Sequence, residues 1–196
     1  MIGTIVIWKK ELRTYFTSPI AYAFIALFAW YTAAQFFVWT SPRSFGTFRG
    51  NFFFRGEASL TDFFAAFPLA LGILVSILCI RLWPEERKSG TYETLMTLPL
   101  RTAPIVLGKF LAMASILFLA FVATAGVPWF VSTLAVEPLD WGPVIGGYVG
   151  GLLMGAAFCS IGLFVSSFTR EAIVAFLVSL LICLVLAKAG APDIDI

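Results

Sequence analysis

Apolar residues in this chain come in five long runs, and the polar positions fall almost entirely between them. The runs cover residues 19–39, 63–83, 104–134, 143–168 and 172–188. Each is close to or above the ~20 residues that a helix needs to cross a hydrocarbon core of about 30 Å. Backbone groups in lipid must be paired within their own segment, so each run is predicted as a transmembrane helix. The alternation of a membrane β-barrel is absent. The predicted fold is all-α: a polytopic transmembrane helix bundle, preceded by an interfacial helix and carrying a short helix on its cytoplasmic side.

The interfacial helix is residues 1–18. Ile2, Ile5, Trp8, Leu12, Tyr15 and Phe16 share one side at helical spacing, and Lys10, Glu11, Arg13 and Thr14 fall mostly on the other. Ile7 falls on the wet side and Lys9 beside the apolar face, where a lysine stem can snorkel. A helix of this kind lies in the membrane plane. Ser18 is a good N-cap and Pro19 a good first helical residue, so a break separates it from the first span. No small-residue cleavage site follows the first apolar run, and that run is long enough to be retained as a span. The transmembrane domain then runs from 19 to 196.

Three details follow from the span ends. Thr61 or Asp62 is placed to cap the second span, and Arg81 and Trp83 to anchor its far end at the interface. The third span is long, so its first turns, with Lys109, are expected to protrude into water. Orientation follows from the basic residues. One set of loops holds Lys9, Lys10, Arg13, Arg81, Arg87, Lys88, Arg101, Lys109 and Arg170; the other holds Arg43, Arg49, Arg55 and Lys188. Nine against four places the N-terminus and residues 84–103 in the cytoplasm. The chain is expected in a prokaryotic cell (inner) membrane.

Composition narrows the function. The chain is 60% hydrophobic and 12% charged, with mean hydropathy +0.96. A soluble domain carries about 25% charged residues and needs them to cover its surface. The net charge of +2, from scattered basic residues, gives no footprint for nucleic acid. There is no histidine, and Cys79, Cys159 and Cys183 lie inside apolar runs, so no metal site and no disulfide framework is expected. Acidic residues lie in loops or at span ends, which argues against a proton relay. No phosphate-cradling loop and no hydrolase or metalloprotease motif occurs. The chain therefore reads as non-catalytic, with no cofactor of its own, and any energised work draws on a partner.

Two features remain. Gly147, Gly151 and Gly155 share a face of the fourth span, with Gly146 and Gly150 in a second row. Small residues let helices approach closely, so the first row is expected to pack against another helix, within the chain or across a dimer seam. The second feature is residues 84–103, the most polar stretch. Glu85, Glu86, Arg87 and Lys88 form a charge cluster and Gly90 breaks the chain. Thr91 can cap a short helix, with Glu93 near its positive end and Leu95, Met96 and Leu98 on an apolar side. An apolar ridge rimmed by charge suggests a docking site.

The string Glu86-Arg87-Lys88-Ser89-Gly90-Thr91-Tyr92-Glu93-Thr94-Leu95, followed by Leu98-Pro99-Leu100, resembles the E-R-x-x-G-T-x-E-x-L…x-P motif of type-2 ABC exporter permeases. Gly108-Lys109 stands where that family commonly has a Gly-Lys pair opening the third helix. Lys10-Glu11-Leu12-Arg13-Tyr15-Phe16 and Ser18-Pro19 are similar to the family's connector helix, in the branch of gliding-motility and copper-linked nitrous-oxide-maturation permeases. The resemblance implies a permease subunit that pairs with a second permease, identical or similar, on two cytoplasmic ABC ATPase subunits, which would hold the ATP and Mg. Glu85, Glu86, Arg87, Gly90, Thr91, Glu93 and Leu95 would then form the coupling helix that docks on the ATPase. Lys10, Glu11 and Arg13 would belong to the connector helix, and membrane lipid would surround the spans. The family typically has six spans, whereas five are legible here, so a sixth family span is expected to be absent. The alternative is a membrane scaffold that passes ATPase-driven motion to an extracellular partner without moving a solute. An assembly factor that works without an ATPase fits the cytoplasmic motif less well.

Overall fold

Prolines and glycines set the helix boundaries. The computed structural model describes residues 2–37, 60–80, 82–88, 90, 102–134, 139–169 and 171–190. Regular structure among these is helical throughout: α1 (Ile2–Thr17), α2 (Pro19–Phe37), α3 (Thr61–Ala65), α4 (Phe67–Cys79), α5 (Pro84–Lys88), α6 (Thr102–Thr124), α7 (Gly126–Leu134), α8 (Trp141–Phe168) and α9 (Ala172–Ala189). Among the described residues α2, the 102–134 segment, α8 and α9 are long and apolar enough to cross a bilayer, and the apolar helix over 63–79 is shorter. The chain is a polytopic transmembrane helix bundle.

The break at Ser18 is present, and the Ser18 hydroxyl accepts from the Ile20 amide at 3.4 Å. The second span is interrupted at Ala66, because Pro68 has no N–H for the Phe64 carbonyl and its ring crowds that turn. Its start has Leu60 at the N-cap, and the Asp62 side chain lies outside the described residues. The span closes at Cys79, four residues before the expected end at 83. Trp83 is not an interfacial anchor: it is buried beside α6. The third span is broken at Ala125, since Pro128 removes the bond to the Thr124 carbonyl, and the Ala125 amide turns back to Val122 at 3.1 Å. At the start of α8 the Asp140 carboxylate caps the helix through the Gly142 amide at 3.0 Å.

Helices α4 and α6 form the centre. α4 is flanked by α8 and α9, while α6 carries α1, α2 and α8. Between α2, α3, α4, α6 and α8 the interior is filled by rings: Phe28 lies 5.4 Å from Phe67 and 5.3 Å from Phe121, and Phe67 lies 5.1 Å from Phe63. Edge-on and tilted contacts at these separations suit the quadrupoles of aromatic rings. The outer faces are apolar too: Leu153, Phe164, Ile173 and Leu181 are all exposed. Such a surface is stable only in lipid.

The glycine row on α8 packs within the chain. A Cβ at Gly147 would meet the Phe64 ring at 2.7 Å, one at Gly151 the Phe67 and Phe121 rings at 2.7 and 2.8 Å, and one at Gly155 the Leu117 side chain at 2.6 Å. Gly146 and Gly150 face open space. Gly151→Leu is therefore expected to lower stability by roughly 1–3 kcal/mol through overpacking, and Gly150→Leu to leave it within about 0.5 kcal/mol. Thermal unfolding of both variants in detergent checks this. Equal losses would place the seam on the other face of α8.

Candidate functional site

The site begins with one lysine in the wrong place for an exposed loop. Lys109 lies in the second turn of α6 and its side chain is fully buried. This corrects the expectation that the first turns of the third span stand in water. The ammonium has three N–H donors, and three acceptors meet them. Glu86 Oε1 is at 2.9 Å, Glu11 Oε1 at 3.1 Å and the Leu82 carbonyl oxygen at 3.1 Å. The Trp83 ring covers the same nitrogen at 5.0 Å. Burying a lone ammonium costs several kcal/mol, and these groups replace the water it loses.

Lys10 closes the cluster from outside. Its Nζ reaches Glu86 Oε1 at 3.2 Å and Glu11 Oε1 at 3.6 Å, with the side chain half exposed. Partial burial pulls the Lys10 pKa down, but the carboxylates of Glu11 and Glu86 outweigh it and hold the group above its ordinary value. Among the described residues two cations and two anions thus meet where α1, α5 and α6 join.

The rest of α1 is shaped by this cluster. Ile7, Glu11 and Tyr15 lie four residues apart and form the buried stripe, while Ile5 is 49% exposed. The expected faces are therefore rotated: Ile7 and Glu11, assigned to the wet side, point inward. Lys109 supplies the reason, since a carboxylate can enter the packed side only where a cation waits for it. Gly108 lets α1 come close enough; a Cβ there would meet Ile7 Cγ2 at 2.7 Å and the Thr4 carbonyl oxygen at 3.2 Å. The Trp8 indole N–H donates to Ser115 Oγ at 3.0 Å, and the Tyr15 hydroxyl donates to the Leu78 carbonyl at 3.2 Å. α1 is tied to the bundle at both ends.

Arg87 does a second job. Its guanidinium donates to the Ser167 carbonyl at 2.7 Å and the Thr169 carbonyl at 3.3 Å, at the C-terminal end of α8. A cation there satisfies orphan carbonyls and the negative end of the helix dipole. The short α5 thus holds α1 and α6 through Glu86 and α8 through Arg87. Gly90 follows at φ +72°, a left-handed turn that glycine adopts without strain, and its amide donates to the Arg87 carbonyl at 3.4 Å.

Of the residues singled out from sequence, Lys10, Glu11 and Glu86 are brought together, Arg87 follows on α5 and reaches the end of α8, and Gly90 marks the exit. Arg13 is outside the cluster, on the exposed side of α1. The Glu85 side chain and Thr91, Glu93 and Leu95 lie outside the described residues, as do Arg43, Arg49 and Arg55. Sequence reasoning missed the burial of Lys109. The available signal was a lysine five residues inside an apolar run, a position charges occupy only with a partner. Among the described residues no three His, Cys, Asp or Glu side chains gather as metal ligands would.

No curated protein and no solved structure gives a significant match to the chain. A family profile described as "ABC-2 family transporter protein" matches residues 5–191, which takes in most of α1, the charge cluster and every span. The chain belongs to the ABC-2 family of membrane transporter proteins.

Proposed function

We propose that the chain is the permease subunit of an ATP-driven transporter and transmits the motion of a cytoplasmic ATPase to its own spans. ATP and Mg are held by the partner. The observation that carries this is the ionic cluster of Lys10, Glu11, Glu86 and the buried Lys109, which joins α1, α5 and the start of α6. A segment that leaves this unit at Gly90 and returns at Thr102 is held by rigid elements at both ends. On this reading residues 91–98, which lie outside the described residues, would be the docking segment, and Thr91, Glu93 and Leu95 would contact the ATPase. Glu86 and Arg87 act behind it, passing displacement to α6 and α8. The ring-filled interior supports pairing with a second permease subunit, because a path for cargo is more readily formed between two bundles than through one.

The test is co-purification of a P-loop ATPase with the tagged chain in mild detergent. Gly90→Pro demands φ near −65° where the turn needs +72°, and removes the amide that bonds to Arg87. Glu93→Arg reverses a charge in the docking helix. Both variants are expected to insert normally and to lose ATPase recovery or ATPase stimulation at least tenfold, about 1.4 kcal/mol of coupling. Unchanged association and activity in both would remove the basis for this reading.

A further inference from the structure

Two recesses lie on the outward side of α2, and their chemistries are ordered along the helix. The first is at the elbow between α1 and α2, an open recess of about 530 Å³ lined by Arg13, Thr14, Thr17, Ser18 and Pro19. The second is an apolar recess of about 150 Å³ between α2 and α4, with Leu27, Trp30, Tyr31, Leu69 and Ile73 in its walls. Pro19 and Trp30 are eleven residues apart, which at 100° per residue brings them within about 20° of each other and separates them by roughly 16 Å. Exposed Ala23 and Ala26 lie between and leave a shallow track. Tyr22, also exposed, stands beside it with its ring edge-on to Phe16 at 5.6 Å.

The upper recess has donors to spare. Lys9 and Arg13 are exposed, and neither has an ion-pair partner among the described residues. The Thr14 and Thr17 hydroxyls donate to the carbonyls of Lys10 and Arg13 at 2.9 and 2.7 Å. Ser18 Oγ accepts from the Ile20 amide, which leaves its own proton free to donate. The groups left for a ligand are a guanidinium and a hydroxyl, with Lys9 one turn away on α1. A guanidinium fork matches phosphate oxygens. A polar cationic recess at the membrane surface, an apolar track and an apolar recess deeper in the bilayer reproduce the order of groups in one phospholipid molecule.

From this order we infer that the outward face of α2 binds one anionic phospholipid. Its phosphate sits on Arg13 and Ser18, and one acyl chain runs past Ala23 and Ala26 into the recess at Leu27 and Ile73. The site depends on membrane insertion alone and stands apart from the transport reading. Free phosphate shares the headgroup chemistry but not the chain.

Native mass spectrometry of the full chain tests this by titration with dioleoyl phosphatidylglycerol against dioleoyl phosphatidylcholine. Phosphatidylglycerol is expected to bind one per chain and more tightly than phosphatidylcholine. Arg13→Gln, at an exposed position without an ion-pair partner among the described residues, should weaken it roughly fivefold. Ile73→Trp, which fills the deeper recess, should weaken both lipids. Millimolar inorganic phosphate should leave the lipid bound. Equal binding of the two lipids with no response to Arg13→Gln overturns the inference. So does displacement by inorganic phosphate, which would make the elbow a free-anion site, or loss of the lipid in a dimer peak, which would mean that a second copy covers this face.

Discussion

Lys109→Met should lower the apparent melting temperature of the purified chain by on the order of 10 °C, more than any other single change in the cluster. The native group holds Lys10, Lys109, Glu11 and Glu86, two positive and two negative charges that sum to zero. Methionine fills the volume of the lysine stem but takes one of the cluster's two cations away from the Glu11 and Glu86 carboxylates, leaving them Lys10 from this group. That lysine is half exposed and cannot satisfy both. Removing one partner from a buried ionic group typically costs about 3–5 kcal/mol. For a chain of this size each kcal/mol moves the midpoint by about 2–4 °C. Adding Glu11→Gln returns the group to charge balance and should restore about half of the loss. Fluorescence-detected size exclusion after heating reads both variants. A shift of Lys109→Met below roughly 3 °C would show that the cluster does not hold α1 to the bundle.

Gly108→Leu should separate the same helices by bulk instead of charge. The first added carbon already meets Ile7 Cγ2 at 2.7 Å and Ile7 Cβ at 2.9 Å, and the Thr4 carbonyl oxygen behind them is backbone, which cannot rotate away. α1 must move outward, and Glu11 moves with it, away from Lys109. Overpacking costs about 1–3 kcal/mol, to which the strained ion pairs add. The expected result is a chain that inserts but no longer recovers or stimulates its ATPase. Ile7→Ala in the same chain removes Cγ2, the atom in closest approach, while Cβ and the Thr4 carbonyl stay, and should recover part of the coupling. Recovery would assign the defect to the α1–α6 contact. No defect in Gly108→Leu alone would mean that the close approach of α1 has no part in coupling.

The spans were legible because their cause is local. An apolar run near twenty residues has one stable form in lipid, and neighbouring residues suffice to specify it. The break at Ser18-Pro19 was legible for the same reason. The interruptions at Ala66 and Ala125 had local causes too, in Pro68 and Pro128, but hydropathy alone runs straight through them. The glycine row was legible as a close-packing surface, yet its partners, Phe64, Phe67, Phe121 and Leu117, come from two other parts of the chain.

The faces of α1 were not legible. Periodicity sorts residues by polarity and so assigns Glu11 to water and Ile5 to the apolar side. The fold buries Glu11, because polarity describes a side chain alone and burial describes it with its partner. Glu11 meets Lys109 across 98 positions and Glu86 meets Lys10 across 76. No pattern within one helix carries that pairing.

The amino-acid sequence by itself determined that this is a membrane protein, that its apolar runs are helical, and where the turn at Gly90 lies, because each depends on residues close together in the chain. Tertiary structure alone decided which charges are spent inside the fold. It turned Glu86 and Arg87 from surface charges into braces and Lys109 from an exposed lysine into the buried centre of a cluster. The physical reason is that an ionic group leaves water only when its counter-charges arrive with it, and here they arrive from α1, α5 and α6 at once.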